Sequence, residues 1–147
     1  MLDRFGMFVA GVTSCYRSIQ KIKSMEMTEF GLKGTHVMCL FYLQKNREGL
    51  TAAQLCQLCC EDKAAVSRNL WELEQKGYVR PQTDGEKKYR ARIFLTDSGE
   101  AVVRQMDDLI RQWVTLGGSG LSEQERNEFY RTLGLIADNL KKNLPNG

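Results

Sequence analysis

Apolar residues recur at helical spacing in six stretches of the chain, and short polar or glycine-containing breaks separate them. These stretches predict helices over residues 2–23, 34–45, 51–60, 63–76, 96–116 and 122–143. Two runs with strand character, 78–80 and 91–95, flank the turn signal Asp84-Gly85. Residues 23–33 have no clean period and predict a connecting loop. The pattern therefore predicts a mainly α fold with a small β-hairpin.

The middle of the chain predicts two consecutive helices joined by a polar turn. Thr51 and Gln54 have the spacing of a capping box, and Asp62 is a good N-cap for the second helix. Leu55 and Leu58 lie three residues apart and are expected to face the core. The second helix has its own apolar stripe, formed by Val66, Leu70 and Leu73. Two such helices are the frame of a helix-turn-helix.

The outward face of that second helix is small, polar and cationic near its start. It carries Lys63, Ala64, Ser67 and Arg68. Such a face fits a DNA major groove, whereas the alternative is an ordinary amphipathic helix with a solvated outer face. The hairpin favours DNA, because five cations and two acids lie between Arg80 and Arg92. A hairpin this basic complements a phosphate backbone.

These residues resemble the winged helix-turn-helix of the multiple-antibiotic-resistance regulators, the MarR family. Residues Asp62 to Gly77 match the pattern D-K-x-x-V-[ST]-R-x-[LV]-x-x-L-x-x-[KR]-G, inside a similar stretch from Leu50 to Val79. After the hairpin, Ile93 to Gly99 read I-F-L-T-D-S-G. The resemblance implies one domain over residues 1–147, with a winged helix-turn-helix at 34–96 and N- and C-terminal dimerisation helices at 2–23 and 97–143.

The resemblance also implies a function. It predicts a homodimeric, sequence-specific transcriptional regulator, with repression favoured, that binds a pseudo-palindromic site on double-stranded DNA. Twofold symmetry would place the two recognition helices about one DNA turn apart, ~34 Å. The first helix supports a dimer, because an apolar stripe this long needs a large covering surface. That stripe comprises Phe5, Phe8, Val9, Val12, Tyr16, Ile19 and Ile22.

The resemblance assigns DNA contacts to two groups of residues. Phosphate contacts are predicted for Thr51, Lys63, Arg80, Lys87, Lys88, Arg90 and Arg92. Base-edge contacts are predicted for Ala64, Ala65, Ser67 and Arg68. The family's wing often carries D-x-R, but this chain reads E-K-K-Y-R at residues 86–90, which leaves open which cation enters the minor groove. Trp71 is unusual on this helix. It would either cover the helix-turn-helix core or meet the DNA backbone, and the first is favoured.

Cysteines offer a second candidate site. Cys56, Cys59 and Cys60 precede the recognition helix, where Lys63 and the helix N-terminus would lower a thiol pKa. Some members of the family sense oxidants through cysteine, so these three are candidate redox residues. The alternative is that they are small buried hydrophobes. No metal site is predicted, because a structural zinc site takes four ligands and the other two cysteines lie far away in sequence.

A third candidate site is an effector pocket. Many members of the family bind planar aromatic compounds in a cleft between the dimerisation helices and the winged domain. By position, the candidates to line such a cleft here are Tyr16, His36 and Cys39. The alternative for each of the three is an ordinary core residue.

Composition narrows the class of protein. The 147 residues are 42% hydrophobic and 27% charged, as in one globular domain, and a net charge of +3 does not indicate nucleic acid by itself. No apolar run approaches the ~18 residues of a membrane span, and the N-terminus does not read as a secretory signal. A cytoplasmic protein with reduced cysteines is therefore expected.

No catalytic motif accompanies the lone histidine, so neither enzymatic activity nor a cofactor is predicted. The rival to a DNA-binding regulator is a winged-helix adaptor that binds proteins and lacks specific DNA binding. In that interpretation the basic wing would meet an acidic partner. Salt dependence of binding to random duplex DNA discriminates between the two.

Overall fold

The computed structural model describes residues 1–82 and 90–145. Its helices are α1 Leu2–Met27, α2 His36–Lys45, α3 Ala52–Cys59, α4 Lys63–Gln75, α5 Asp97–Gly117 and α6 Glu123–Asn143. Its strands are β1 Val79–Gln82 and β2 Arg92–Leu95, which pair antiparallel. The predicted fold class, mainly α with a small β-hairpin, is confirmed. The predicted turn Asp84-Gly85 lies outside the described residues.

The first helix is longer than its sequence pattern predicted. α1 continues to Met27, and a short 3-10 turn, Thr28–Phe30, follows it. The prediction of a loop from residue 23 onward was therefore wrong for its first half. Met27, the last residue of α1, is buried with 2% exposure, and the turn that follows ends at Gly31, whose φ of 63° suits glycine.

Three predicted helix starts are confirmed by their side-chain caps. The Gln54 amide donates to the Thr51 hydroxyl at 3.2 Å, and the Gln54 side chain accepts from the Thr51 amide at 2.9 Å. The Asp62 carboxylate accepts from the Ala65 amide at 2.7 Å. A second reciprocal capping box at Ser122 begins α6. These caps fix where α3, α4 and α6 begin, because each satisfies backbone N–H groups that the helix leaves unpaired.

The core is one cluster contributed by the end of α1, the three helices α2 to α4, the hairpin and the start of α5. Its most deeply buried apolar side chains are Leu40, Leu55, Val66, Leu73, Val103 and Met106. Leu55 faces this core as predicted, but Leu58 is 39% exposed, so its predicted inward orientation is wrong. α3 has only eight residues, and Leu55 is its one buried residue.

The two strands pair with each other, and β2 is bonded to the segment that precedes α3. Val79 pairs with Leu95, and Ile93 exchanges backbone hydrogen bonds with Leu50 just before α3. A side chain at Gly49 would meet the Phe94 ring at 2.7 Å, and Gly49 has a φ of 77°. Only glycine therefore lets the α2–α3 connection pass this close to β2. The strand pairing and this close approach together set the position of the wing strands relative to α3.

Two compact units divide the chain, Met1–Leu109 and Ile110–Gly147. In the second unit α6 has no buried residue, and it exposes Phe129, Leu133 and Leu140. In the first unit α1 has one buried residue, Met27, and exposes most of its apolar stripe. Within the described ranges, no helix is long and apolar enough to cross a membrane.

Candidate nucleic-acid interface

The recognition helix α4 separates cleanly into an inner and an outer face. Val66, Leu70 and Leu73 point inward, with exposures of 0%, 8% and 0%. The outer face exposes Lys63, Ala64, Ser67 and Arg68, and Ala65 is half-buried at the margin. Four of the five predicted α4 contact residues are therefore open to solvent, on a face without bulky apolar groups in its first two turns.

Trp71 also lies on this outer face. It is 62% exposed, so the prediction that it covers the helix-turn-helix core was wrong. At about 100° per residue, Trp71 falls on the same side of the helix as Ala64 and Arg68 and nearly opposite Val66 and Leu73. The exposure of Trp71 could have been predicted from its helical spacing relative to the buried residues of α4. The outer face of α4 thus changes along its length from small and cationic to aromatic.

Polar contacts fix α4 against the start of α2. The buried Asn69 side chain donates to the Thr35 carbonyl at 3.2 Å. One turn later the Glu72 carboxylate lies 2.8 Å from His36 Nε2 and 2.7 Å from the Lys33 ammonium. These bonds are directional, so they restrict rotation of α4 in a way that apolar packing alone does not. They therefore act together with the buried stripe of α4 to keep the recognition residues facing outward.

The tautomer of His36 follows from its partners. The Lys33 backbone amide donates to His36 Nδ1 at 3.1 Å, so Nδ1 is an acceptor and the proton sits on Nε2. Nε2 then donates to Glu72. Burial lowers the pKa of His36, although hydrogen bonding to Glu72 opposes the shift. Lys33, and to a smaller extent His36, lower the pKa of the Glu72 carboxyl. Neutral His36 beside ionised Glu72 is the consistent state.

The predicted phosphate-binding residues have different surroundings. The Arg80 guanidinium lies 5.3 Å from the centre of the Phe94 ring. Arg92 donates to the carbonyls of Glu48 and Gly49, at 3.1 Å each, and so braces the connection before α3. The Thr51 hydroxyl serves the α3 capping box. Arg90 is exposed. Lys87 and Lys88 lie outside the described residues.

The structure brings together one residue from the predicted effector pocket, Cys39, and one from the predicted redox site, Cys59. Cys39 and Cys59 lie with their sulfurs 4.0 Å apart, although 20 positions separate them. Cys39 was not grouped with the other cysteines from the sequence because it lies far from them along the chain. The fold nevertheless brings it next to Cys59. Cys56 is half-buried and Cys60 is exposed. The described residues include no group of three or more histidine, cysteine or acidic side chains placed to hold a metal.

The three candidates for an effector pocket do not share a described cavity. His36 and Cys39 are buried in the core, with exposures of 0% and 1%, whereas Tyr16 is 61% exposed and accepts a hydrogen bond from Gln20. A small cavity of about 150 Å³ lies elsewhere, between the end of α2, β2 and α5. It is lined by Leu43, Gln44, Asn46, Arg47, Phe94, Leu95, Glu100 and Arg104. An effector pocket at Tyr16, His36 and Cys39 stays a prediction.

Known proteins match this chain along most of its length. A model of the MarR family matches residues 30–88. A MarR transcriptional regulator from Methanosarcina mazei Go1 matches with a TM-score of 0.83 at 22% identity, over 95% of this chain and 99% of that chain. A MarR-family regulator from Silicibacter pomeroyi matches with a TM-score of 0.77 at 26% identity, over 87% and 86%. The S. aureus MepR–DNA complex matches with a TM-score of 0.77 at 22% identity, over 88% and 93%. The winged helix-turn-helix fold is thereby confirmed.

Proposed function

We propose that this chain, whose predicted resemblance to the MarR family is confirmed over its winged helix-turn-helix, is a homodimeric transcriptional repressor that binds double-stranded DNA. The main support for this proposal is the chemical character of the outer face of α4. It is exposed, small and cationic at Lys63, Ala64, Ser67 and Arg68. Its orientation is fixed by polar bonds from Asn69 and Glu72 to the start of α2.

In this proposal the first two turns of α4 enter the major groove. Ala64, Ser67 and Arg68 meet base edges, and Arg68 has the planar donor pair that suits guanine. Lys63 and the hairpin cations contact phosphates, which supplies affinity without sequence information. Arg92 acts through the backbone that it braces, because its guanidinium already binds the Glu48 and Gly49 carbonyls.

A second copy of the chain completes the proposed regulator. α1 and α6 each expose an apolar stripe, including Phe5 and Val12 on α1 and Phe129 and Leu140 on α6. Exposed stripes of this length are typical of surfaces that another protein covers. Twofold pairing would present two α4 helices to one pseudo-palindromic site.

Regulation would act through the separation of the two recognition helices. A small molecule or an oxidant that favours one separation shifts the population between DNA-competent and incompetent dimers. α4 is bonded to α2 through Asn69, Glu72 and His36, so a displacement of α2 would be transmitted to the DNA-reading face.

Substitution of Arg68 tests the assignment of α4. Arg68→Ala is expected to weaken binding to the cognate site by ~1–3 kcal/mol and to relax specificity at one base pair. Arg131→Ala is the matched control, because Arg131 is an exposed arginine on α6. Lys88→Ala should weaken binding to all sequences alike and reduce the salt slope by about one. Equal effects of Arg68→Ala and Arg131→Ala would remove α4 from the base-reading surface.

The adaptor remains the second candidate, and exposed Trp71 is the observation that favours it. Tryptophan is enriched where proteins contact proteins, and here it lies on the outer face of α4. Titration of the protein into mixed-sequence duplex DNA at several salt concentrations separates the two functions. A steep loss of affinity with salt supports DNA binding, because phosphate contacts release counterions. Failure to bind DNA at low salt would favour the adaptor.

A further inference from the structure

Two thiols from different helices meet beside the helix-turn-helix. Cys39 on α2 and Cys59 at the end of α3 place their sulfurs 4.0 Å apart, within hydrogen-bond range for sulfur. Cys39 is 1% exposed, whereas Cys59 is half-buried and so keeps a path to solvent. One thiol of the pair is therefore enclosed by protein and the other can be reached by a small reagent.

The surroundings make the two thiols chemically unequal. A hydrogen bond from Cys39 lowers the pKa of the Cys59 thiol, and Lys23 adds to this effect, against the opposing influence of burial and of Glu61. The same hydrogen bond, together with burial, raises the pKa of the Cys39 thiol. Cys59 is thus the better nucleophile of the two, because the thiolate and not the thiol attacks. Cys39 keeps its proton, and its sulfur lies 4.0 Å from the Cys59 sulfur.

We propose that Cys39 and Cys59 form an oxidation site for small peroxides, at which the two thiols are converted into a disulfide that joins α2 to α3. The limited exposure of the two cysteines indicates the size of the oxidant that can reach them. Cys59 as a residue is half-buried and its partner Cys39 is enclosed. Hydrogen peroxide fits such a site better than a bulky disulfide reagent does.

The reaction has two balanced steps. In the first, the Cys59 thiolate attacks one peroxide oxygen, the O–O bond breaks, and Cys59 becomes a sulfenic acid. The departing hydroxide takes a proton from solvent and leaves as water. In the second, the Cys39 thiol gives up its proton, the resulting thiolate attacks the Cys59 sulfur, the S–O bond breaks, and the departing hydroxide takes that proton and leaves as water. One peroxide is reduced to two waters while two thiols are oxidised to one disulfide.

Closing the bond requires movement of the two side chains or of the helices that carry them. The sulfurs must approach from 4.0 Å to the ~2.05 Å of a disulfide, so side chains or helices shift by a combined ~2 Å. Cys59 is the last residue of α3, and Asp62, three residues on, is the cap that begins α4. A shift of Cys59 on disulfide formation would therefore displace the cap at which the recognition helix begins. This consequence for DNA affinity rests on the proposed function, whereas the disulfide itself does not.

The other cysteines lack this arrangement. Cys60 is exposed and its sulfur points to the Gln57 carbonyl at 3.8 Å. Cys15 is exposed on α1. Cys56 lies one turn before Cys59 on α3 and is half-buried. A triple variant that replaces Cys15, Cys56 and Cys60 with serine therefore keeps only the proposed pair.

Mass spectrometry of the 147-residue chain tests the chemistry directly. After a brief exposure to equimolar hydrogen peroxide, the wild type and the triple variant should each lose two hydrogens, and peptide mapping should join Cys39 to Cys59. Cys39→Ser should instead stop at a sulfenic acid on Cys59 that dimedone captures. Cys39→Ala repeats this test without a buried hydroxyl, and circular dichroism verifies folding of both variants. Unchanged thiols, or a bond that joins other cysteines or two chains, would overturn the proposal.

Duplex binding by the same samples tests the consequence. Oxidation of the triple variant is expected to weaken DNA binding by about tenfold, a typical coupling between two sites, and a thiol reductant should restore it. Cys59→Ser should bind DNA equally well with and without peroxide. A disulfide that forms without any change in affinity would overturn the coupling to α4. If the reduced protein failed to bind DNA, the proposed function would fail while the disulfide assignment stood on the mass data.

Discussion

The middle of the chain and its terminal helices have equally clear helical patterns, yet they bury very different amounts of apolar surface. α4 has 13 residues and buries three apolar ones, Val66, Leu70 and Leu73. α1 has 26 residues and buries one, and α6 has 21 and buries none. A hydrophobic stripe therefore identifies the face that a helix needs to cover, but it does not identify the element that covers it.

The difference has a physical meaning for the two regions. Side chains such as Leu55 and Leu73 are enclosed by their own chain, so the middle region supplies the stability of the fold. Phe5 and Val12 on α1 remain 67% and 43% exposed. Removing apolar surface from water is favourable by ~25 cal/mol per Å², so these faces gain most from a second molecule. In our proposal that molecule is a second copy.

Truncation of a core leucine should produce the largest effect on stability. Leu73 has 0% exposure, and Leu73→Ala is expected to lower the free energy of unfolding by ~2–5 kcal/mol because it leaves a cavity. Leu144→Ala is the matched control near the C-terminus, where Leu144 is 67% exposed, and it should change stability by less than ~0.5 kcal/mol. Urea titration measures both. Equal losses of unfolding free energy in the two variants would contradict the conclusion that the middle region supplies the stability of the fold.

A charge on the α1 stripe should break the proposed dimer. Val12→Glu is expected to weaken self-association by ~100-fold or more, because an unpaired carboxylate would be buried in the interface. Lys21→Gln changes the charge equally and lies nine residues away, on the opposite side of the helix. Sedimentation equilibrium distinguishes the variants. Two variants that dimerise like the wild type would show that the α1 stripe is not the contact surface.

Trp71 is an exception to the contrast, since it is a large apolar side chain exposed in the middle region. If the outer face of α4 meets DNA, Trp71→Ala should weaken binding by about tenfold, or ~1.4 kcal/mol. The chain has two tryptophans, so Trp113→Phe leaves Trp71 as the only tryptophan fluorophore. Its emission should shift to the blue when duplex DNA is added. An unchanged spectrum on saturation with DNA would place Trp71 away from the interface.

The smallest expected effect is a pH dependence from His36, the one histidine of the chain. Burial holds its pKa in the folded state below the ordinary 6.5, so the unfolded chain takes up the proton first as the pH falls. The stability is fully present above pH 6.5 and declines below it, toward the pKa of the folded state, by at most about 1.4 kcal/mol per pH unit.

Urea titrations at pH 7.5 and 5.5 measure this slope. His36→Gln removes the titrating group and should flatten the pH dependence, although the variant is less stable at both pH values. Lys21→Gln is the control that keeps His36 and its surroundings, because Lys21 is exposed on α1, and its slope should resemble that of the wild type. A slope that persists unchanged in His36→Gln would assign the pH dependence to other groups.

Most of the architecture could be predicted from the sequence, and the site only in part. The orientation of Lys63, Ser67 and Arg68 was predictable because one helix carries both them and the apolar stripe that faces the core. Trp71 was placed wrongly because its apolar character was given more weight than its helical position. Leu58 was placed wrongly for the opposite reason: its spacing from Leu55 was followed, whereas Leu55 is the one residue that α3 buries.

By itself, the sequence determined the interactions that act within about four residues. The capping boxes at Thr51 and Ser122, the cap at Asp62 and the helical faces all belong to this class, because both partners lie on the same turn of chain. Tertiary structure alone decided the contacts between distant positions. It brought Cys39 to Cys59 and His36 to Glu72. Such pairs depend on how α2 packs against α3 and α4, and many residues together fix that packing.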